Sequence, residues 1–350
     1  MMSEVMKAVV YHAPWDMRLE RLPKPKPKPG EVLVKMEAVG ICGSDVHGFT
    51  GESGRRAPGM VMGHEATGKV VAHGIGVNAP VVGTSVAIFN IIAHTPPHPD
   101  EGDPSFLKKK VIGVNLSKHG AMAEFLTVPA ENAIPLPPGV PPEIGLLAEP
   151  IGVVTHGWRR LKSRGVRPRR VAIVGAGTIG LAAVLTARAR KIFNIVVLDT
   201  VAEKARRGAA LGAQPLYVKA EDSTSMLVRT TSSLLTGKPD VVIDAVGSHE
   251  SFLLCLALVE PGGCVLLIGN LAKEVSFPLQ NVVSDEVSLV GTYAFDRCDF
   301  VAALEILPEI GSQLSTFIEG RCSLEELPDR MISLAKGEDQ ALKTVITFVE

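Results

Sequence analysis

Apolar residues are distributed along this chain in two textures. Up to about residue 145 they form short runs, Lys7–Tyr11, Glu31–Ala38 and Lys69–Ala72, each bounded by glycine or proline. Such runs predict β-strands. Between the first two lies Pro23 to Pro29, where proline and lysine alternate, which reads as a short extended surface connector. A second proline-rich stretch, Pro135 to Pro142, leads out of this region and precedes a helical pattern over Glu149 to Arg160. From Val171 the texture changes. An apolar run, Val171–Val174, meets a glycine-rich turn, and a helical stretch, Thr178–Arg190, follows. Ile195–Leu198 ends in Asp199, a helix is expected near Glu203–Leu211, and Val241–Ile243 and Cys264–Ile268 repeat the strand pattern. Strands alternating with helices predict βαβ units and a parallel sheet, buried on both faces. The remainder predicts helices near Asp299–Ile310 and Leu324–Leu334 and a closing strand, Lys343–Val349.

Composition narrows the class. A chain of 350 residues is comfortable as two domains, and 46% hydrophobic with 21% charged residues is a globular balance. A formal net charge of -1 leaves no basic excess for phosphates, which argues against a nucleic-acid partner. The five cysteines, Cys42, Cys255, Cys264, Cys298 and Cys322, form no C-x-x-C pair, so a disulfide framework is not expected and a cytoplasmic location fits best. Met1 to Lys7 has no apolar run of signal length, and no stretch of ~18 apolar residues predicts a membrane span.

The turn after Val174 carries chemistry. Gly175, Gly177 and Gly180 form G-x-G-x-x-G, with Thr178 and Ile179 opening the helix. Gly175 permits the tight turn, Gly177 lets the backbone approach a pyrophosphate, and Gly180 lets helix and strand pack closely. The helix N-terminus offers free N–H groups to the phosphates. Asp199, ending the next strand, is placed to accept hydrogen bonds from an adenosine ribose. Its charge would repel a 2′-phosphate, so NAD is expected over NADP.

A second constellation lies upstream: Gly40-Ile-Cys42-Gly-Ser44-Asp45-Val-His47, Gly63-His64-Glu65 and Glu149-Pro150. Cys42, His64 and a carboxylate would supply one sulfur, one nitrogen and one oxygen to a four-coordinate zinc with one place open. These segments, followed by the glycine-rich turn, resemble the medium-chain zinc-dependent alcohol dehydrogenase family over nearly the whole chain. The Glu149-Pro150 pair resembles its sorbitol and threonine dehydrogenase-like branch of polyol and amino-alcohol enzymes. In that branch zinc is held by the cysteine, the histidine and a glutamate, here either Glu65 or Glu149. Many relatives carry four closely spaced cysteines for a structural zinc; the stretch from Asn90 to Asn115 has none, so a single catalytic zinc is expected. His94, His98, Asp100, Glu101 and Asp103 within it read as a polar loop.

The resemblance implies a GroES-like, β-rich catalytic domain (residues 1–150 and 295–350) and a doubly wound Rossmann domain (151–294), with the active site between them. It implies a zinc-dependent oxidoreductase moving a hydride between NAD and a secondary alcohol: a polyol, sugar alcohol or cyclitol, or alternatively an amino alcohol. Ser44 would take the substrate proton and His47 release it, while Asp45 orients His64. Lys204 would contact the ribose, Ala245 and Val246 the adenine, and Ile268, Gly269 and Val153 the nicotinamide end. Relatives are dimers or tetramers, so a homo-oligomer is expected. Sorbitol dehydrogenases place a substrate-contacting arginine in the segment matching Thr292–Phe295; here it reads Thr-Tyr-Ala-Phe, which argues against sorbitol itself. Phe49, Phe89, Phe106 and Tyr293 are candidates for either the pocket wall or the core. The rival classes are a zinc-free reductase, which would lack Cys42 and His64, and a non-enzymatic NAD-binding sensor, which would need no Ser44–His47 relay.

Overall fold

A computed structural model describes residues 4–92, 110–115 and 120–348. Contacts divide the chain into two units, Met1–Glu149 with Ala303–Glu350, and Pro150–Ala302. The second break falls inside a helix, later than residue 295, because Phe295 stacks on Phe300 at 5.7 Å and Asp299 is bound by residues of the middle unit.

The first unit opens with strands β1 (Val5–Ala13), β2 (Asp16–Pro23) and β3 (Glu31–Ile41), the short helix α1 (Gly43–Phe49), and strands β4 (Met60–Val61), β5 (Glu65–His73), β6 (Ser85–Ile88), β7 (Ile91–Ile92), β8 (Lys110–Val111), β9 (Phe125–Pro129) and β10 (Ala133–Pro135). Helices α2 (Pro142–Gly145) and α3 (Ala148–Ser163) lead out of it. The middle unit alternates β11 (Val171–Val174), α4 (Thr178–Ala189), β12 (Ile195–Asp199), α5 (Ala202–Ala210), β13 (Gln214–Tyr217), α6 (Thr224–Leu234), β14 (Val241–Asp244), α7 (His249–Leu258), β15 (Cys264–Leu267), α8 (Leu279–Ser284) and β16 (Ser288–Gly291). Helix α9 (Arg297–Leu314), strand β17 (Ile318–Cys322), helix α10 (Leu327–Ala335) and strand β18 (Lys343–Thr347) complete the chain.

In the first unit β3 is the hub. It pairs antiparallel with β5, β9 and β18, within a sheet ordered β10-β6-β5-β3-β18-β17. Its apolar positions Val32, Val34, Met36 and Val39 join Met62, Met122, Leu126 and Ile346 in one core. Phe49 belongs to that core and packs on Trp15, so it is a core residue, not a pocket wall. Phe106 and the His94–Asp103 loop lie outside the described residues.

The middle unit holds a six-stranded parallel sheet ordered β13-β12-β11-β14-β15-β16. Its central strands are apolar and fully buried, as a sheet covered on both faces requires. The order reverses between β11 and β14, and this switch point is where open α/β sheets bind ligands. The edge strands β13 and β16 were not expected from the sequence. Their residues are mostly exposed, so they lack the apolar run that marks a buried strand.

Candidate active site

Local backbone design brings the ligand candidates together. Cys42 directly follows β3, and Glu65, the first residue of β5, is paired in register with Gly40 of β3. The Cys42 sulfur, a His64 ring nitrogen and a Glu65 carboxylate oxygen lie within 4.8 Å of one another. His64 and Glu65 are buried and Cys42 is half-buried. Asp45, fully buried in the first turn of α1, accepts the Cys42 amide at 3.1 Å and the Arg56 Nη2 at 3.3 Å. Its Oδ1 lies 3.4 Å from Nδ1 of His64, without completing a hydrogen bond. Burial opposes both charges, but the neighbours together prevail: Asp45 and Cys42 raise His64 well above its ordinary range, and His64, Arg56 and the Cys42 amide lower Asp45.

Glu149 sits in the first turn of α3, buried, and its Oε1 accepts from Asn90 Nδ2 at 3.1 Å. The same amide donates to the His64 carbonyl at 3.0 Å, so Asn90 ties the two segments. Burial, reinforced by the nearby Glu65 charge and offset by His64, pushes Glu149 up to about 7. Glu65 is held differently. Lys343 of β18, buried, reaches both of its oxygens at 2.8 Å and also the Ile41 carbonyl at 3.1 Å. Although burial disfavours its charge, Glu65 raises the Lys343 pKa. Asn90, Lys343 and Arg56 carry no local sequence signal.

Sulfur, nitrogen and oxygen donors converge here, and of the two buried carboxylates Lys343 bonds Glu65 while Asn90 bonds Glu149. This donor set fits a zinc ion, whose charge would offset the crowded anions. Ser44 and His47 lie on α1, both exposed; the Ser44 carbonyl accepts Arg56 Nη2 at 3.2 Å, and His47 Nδ1 meets Glu52 Oε2 at 2.7 Å.

The dinucleotide residues gather separately, in the middle unit, at the carboxyl ends of its strands. Gly175 has φ +97°, and a Cβ on Gly180 would fall 1.7 Å from the Gly175 carbonyl oxygen, so no larger residue fits there. At Gly177, the N-cap of α4, a Cβ would meet nothing within 4 Å, which leaves an open cradle beside the amides of Thr178 and Ile179. Asp199 ends β12 and accepts the amides of Ala176 at 2.7 Å and Val201 at 2.8 Å, so it shapes the turn as well as facing it. Ala245 and Val246 follow β14, and Ile268 and Gly269 follow β15. Buried Asp244, absent from the sequence reading, fixes the former by accepting the Val246 and Gly247 amides. Lys204 on α5 and Val153 on α3 are half-buried.

Comparison with known proteins adds two domain matches: the alcohol dehydrogenase GroES-like domain over residues 28–138 and the zinc-binding dehydrogenase domain over residues 178–309. The chain is 32% identical to sorbitol dehydrogenase of Bos taurus over 345 residues, covering 94% of this chain and 93% of the relative. The solved alcohol dehydrogenase TADH from Thermus sp. ATN1 superposes with TM-score 0.83 at 29% identity, covering 98% of this chain and 99% of its own. A Sinorhizobium meliloti protein described as a zinc-binding dehydrogenase, solved bound to NADP, superposes with TM-score 0.87 at 26% identity, covering 99% of this chain and 100% of its own.

Proposed function

The chain belongs to the zinc-dependent medium-chain dehydrogenase family, and on that premise we propose that it transfers a hydride between NAD and a secondary alcohol of a polyol, sugar alcohol or cyclitol. The observation that carries this is the mutual approach of Cys42, His64 and Glu65 within 4.8 Å, in a chain that also builds a dinucleotide turn. Cys42, His64 and one carboxylate would hold the zinc. Glu65 is within reach but spends both oxygens on Lys343, whereas Glu149 keeps one oxygen beyond its Asn90 bond. When bound, zinc supplies the Lewis acidity that eases ionisation of the substrate hydroxyl. Ser44 accepts the hydroxyl proton and His47 passes it to solvent, a role that its exposure and its Glu52 partner support.

The amides at the start of α4 would hold the cofactor pyrophosphate in the cradle at Gly177, and Asp199 would accept the ribose hydroxyls. Two amides anchor the Asp199 carboxylate, whose charge would repel a 2′-phosphate, which favours NAD over NADP. The absence of cysteine between Asn90 and Asn115 leaves no Cys₄ site there, so one zinc per chain is proposed. The sorbitol dehydrogenase relatives support a polyol substrate, while the missing arginine at Thr292–Phe295, where Phe295 is spent on Phe300, favours one other than sorbitol. A homo-oligomer is supported by the open edge at β16 and by α8, which buries no residue and exposes Leu279 and Val283. No helix among the described residues is long and apolar enough to cross a membrane. The five unpaired cysteines suit a reducing compartment such as the cytoplasm.

A panel of polyols, cyclitols and amino alcohols, each offered with NAD and with NADP and followed by nicotinamide reduction, tests the assignment. Turnover is expected with NAD and a polyol or cyclitol. It should vanish on chelation and return with zinc, while NAD binding persists. Undiminished turnover in verified zinc-free protein would refute it.

A further inference from the structure

We propose that Arg56 is a positioning residue for the metal-ligand candidate His64, acting through Asp45; the inference rests on the zinc reading above. Arg56 lies in the irregular segment between α1 and β4, where a surface arginine would be unremarked. Its side chain is instead 1% exposed, against 0% for Asp45 and 6% for His64. A guanidinium out of water is costly unless its charge and hydrogens are matched.

The two terminal nitrogens are matched, while Nε has no partner among the described residues. Nη1 donates to the Val114 carbonyl at 2.9 Å, and Nη2 donates to the Ser44 carbonyl at 3.2 Å and to Asp45 Oδ1 at 3.3 Å. Helix α1 makes room for it at Gly48, where a Cβ would stand 2.7 Å from the Arg56 Nε. The Asp45 carboxylate is thereby fixed on both sides. Oδ2 takes the Cys42 amide, and Oδ1 takes Arg56 and faces the His64 ring nitrogen 3.4 Å away. An acid fixed beside one ring nitrogen sets the tautomer and orientation that leave the other nitrogen for a metal. Arg56 stops that acid turning, and its bond to Ser44 ties the relay residue to the same point.

The test uses the full chain with zinc bound. Arg56→Met, Arg56→Lys, Asp45→Asn and the double variant Asp45→Asn/Arg56→Met are compared by the rate of zinc loss to a chelator. NADH binding, read by fluorescence, is the control, because the cofactor residues lie in the other unit. Loss of an outer partner of a metal ligand typically weakens metal affinity about 10- to 100-fold, and that range is expected for Arg56→Met with NADH affinity unchanged. Arg56→Lys keeps the charge but its single nitrogen cannot hold Val114 together with Ser44 and Asp45, so it should lose zinc several-fold faster than wild type. Because Arg56 works through Asp45, the double variant should lose zinc no faster than Asp45→Asn alone. Wild-type zinc retention in both Arg56 variants would overturn the proposal, as would a further tenfold loss in the double variant over Asp45→Asn. Failure of the underlying zinc reading is distinguishable, since the wild-type chain would then carry no stoichiometric zinc.

Discussion

Asp299, at the start of α9, is the place where one atom changed should unsettle the middle unit. Its carboxylate is 2% exposed and is met by four donors. Arg159 Nε and Nη2 reach it at 2.7 and 2.9 Å, His156 Nδ1 at 2.8 Å, and the Asp296 amide at 2.9 Å. Arg159 also bonds Asp296, so α3 and the head of α9 are locked by one charged knot. Asp299→Asn removes the charge and puts a donating amide NH2 where an accepting oxygen faced donors. Breaking a buried pair on one side costs about 3–5 kcal/mol. Arg159 is 45% exposed and water can replace part of what it loses, which places the cost near the lower end, about 3 kcal/mol. For a unit of this size each kcal/mol moves the transition by about 2–4 °C, so a fall of roughly 6–12 °C is expected. Scanning calorimetry with and without NADH identifies the relevant transition as the one the cofactor raises.

The pH dependence carries the sign. Burial alone would raise the Asp299 pKa, but His156 and Arg159 hold it well below the usual carboxylate range. A depressed carboxylate stabilises the fold fully above its unfolded value, about 3.9, and that contribution fades as pH falls below it. The gap between wild type and Asp299→Asn should therefore be constant near neutrality and narrow below about pH 4. A shift under about 2 °C, or a gap that does not narrow in acid, would refute this account.

Two further substitutions test other parts of the molecule. Gly180→Ala places a methyl 1.7 Å from the Gly175 carbonyl oxygen, so the turn must open; NADH binding, followed by fluorescence, should weaken tenfold or more, and unchanged affinity would show that the turn tolerates the methyl. Lys343→Met strips from Glu65, beside Glu149, the lysine that bonds both of its oxygens; the zinc-free protein should lose about 3 kcal/mol or more of stability in urea titrations, and added zinc should restore more stability in the variant than it adds to wild type. Equal zinc stabilisation in both would count against the shared-charge picture.

How far the sequence reaches depends on how local the signal is. The strand, glycine turn and helix at Val171–Ala189 are contiguous, and the steric demands at Gly175 and Gly180 fall on neighbours a few positions away, so that site was legible. Cys42 and His64 each announce themselves within short segments. Lys343 does not: it stands 278 residues from Glu65 and comes beside it only because β18 pairs with β3. Asn90 and Arg56 are likewise ordinary polar residues until tertiary pairing buries them. The edge strands β13 and β16 escaped because water covers most of their side chains, which removes the apolar run on which strand recognition depends.

Placing the middle unit between two stretches of the first has a consequence for biosynthesis. As the chain leaves the ribosome, the nucleotide-binding unit is complete and free to fold while the metal cluster still lacks Lys343, which arrives on the last strand. Glu65 emerges 278 residues ahead of the lysine that reaches both of its oxygens. A ribosome stalled before β18 would display a middle unit free to fold while the Cys42, His64 and Glu65 cluster still lacks that lysine.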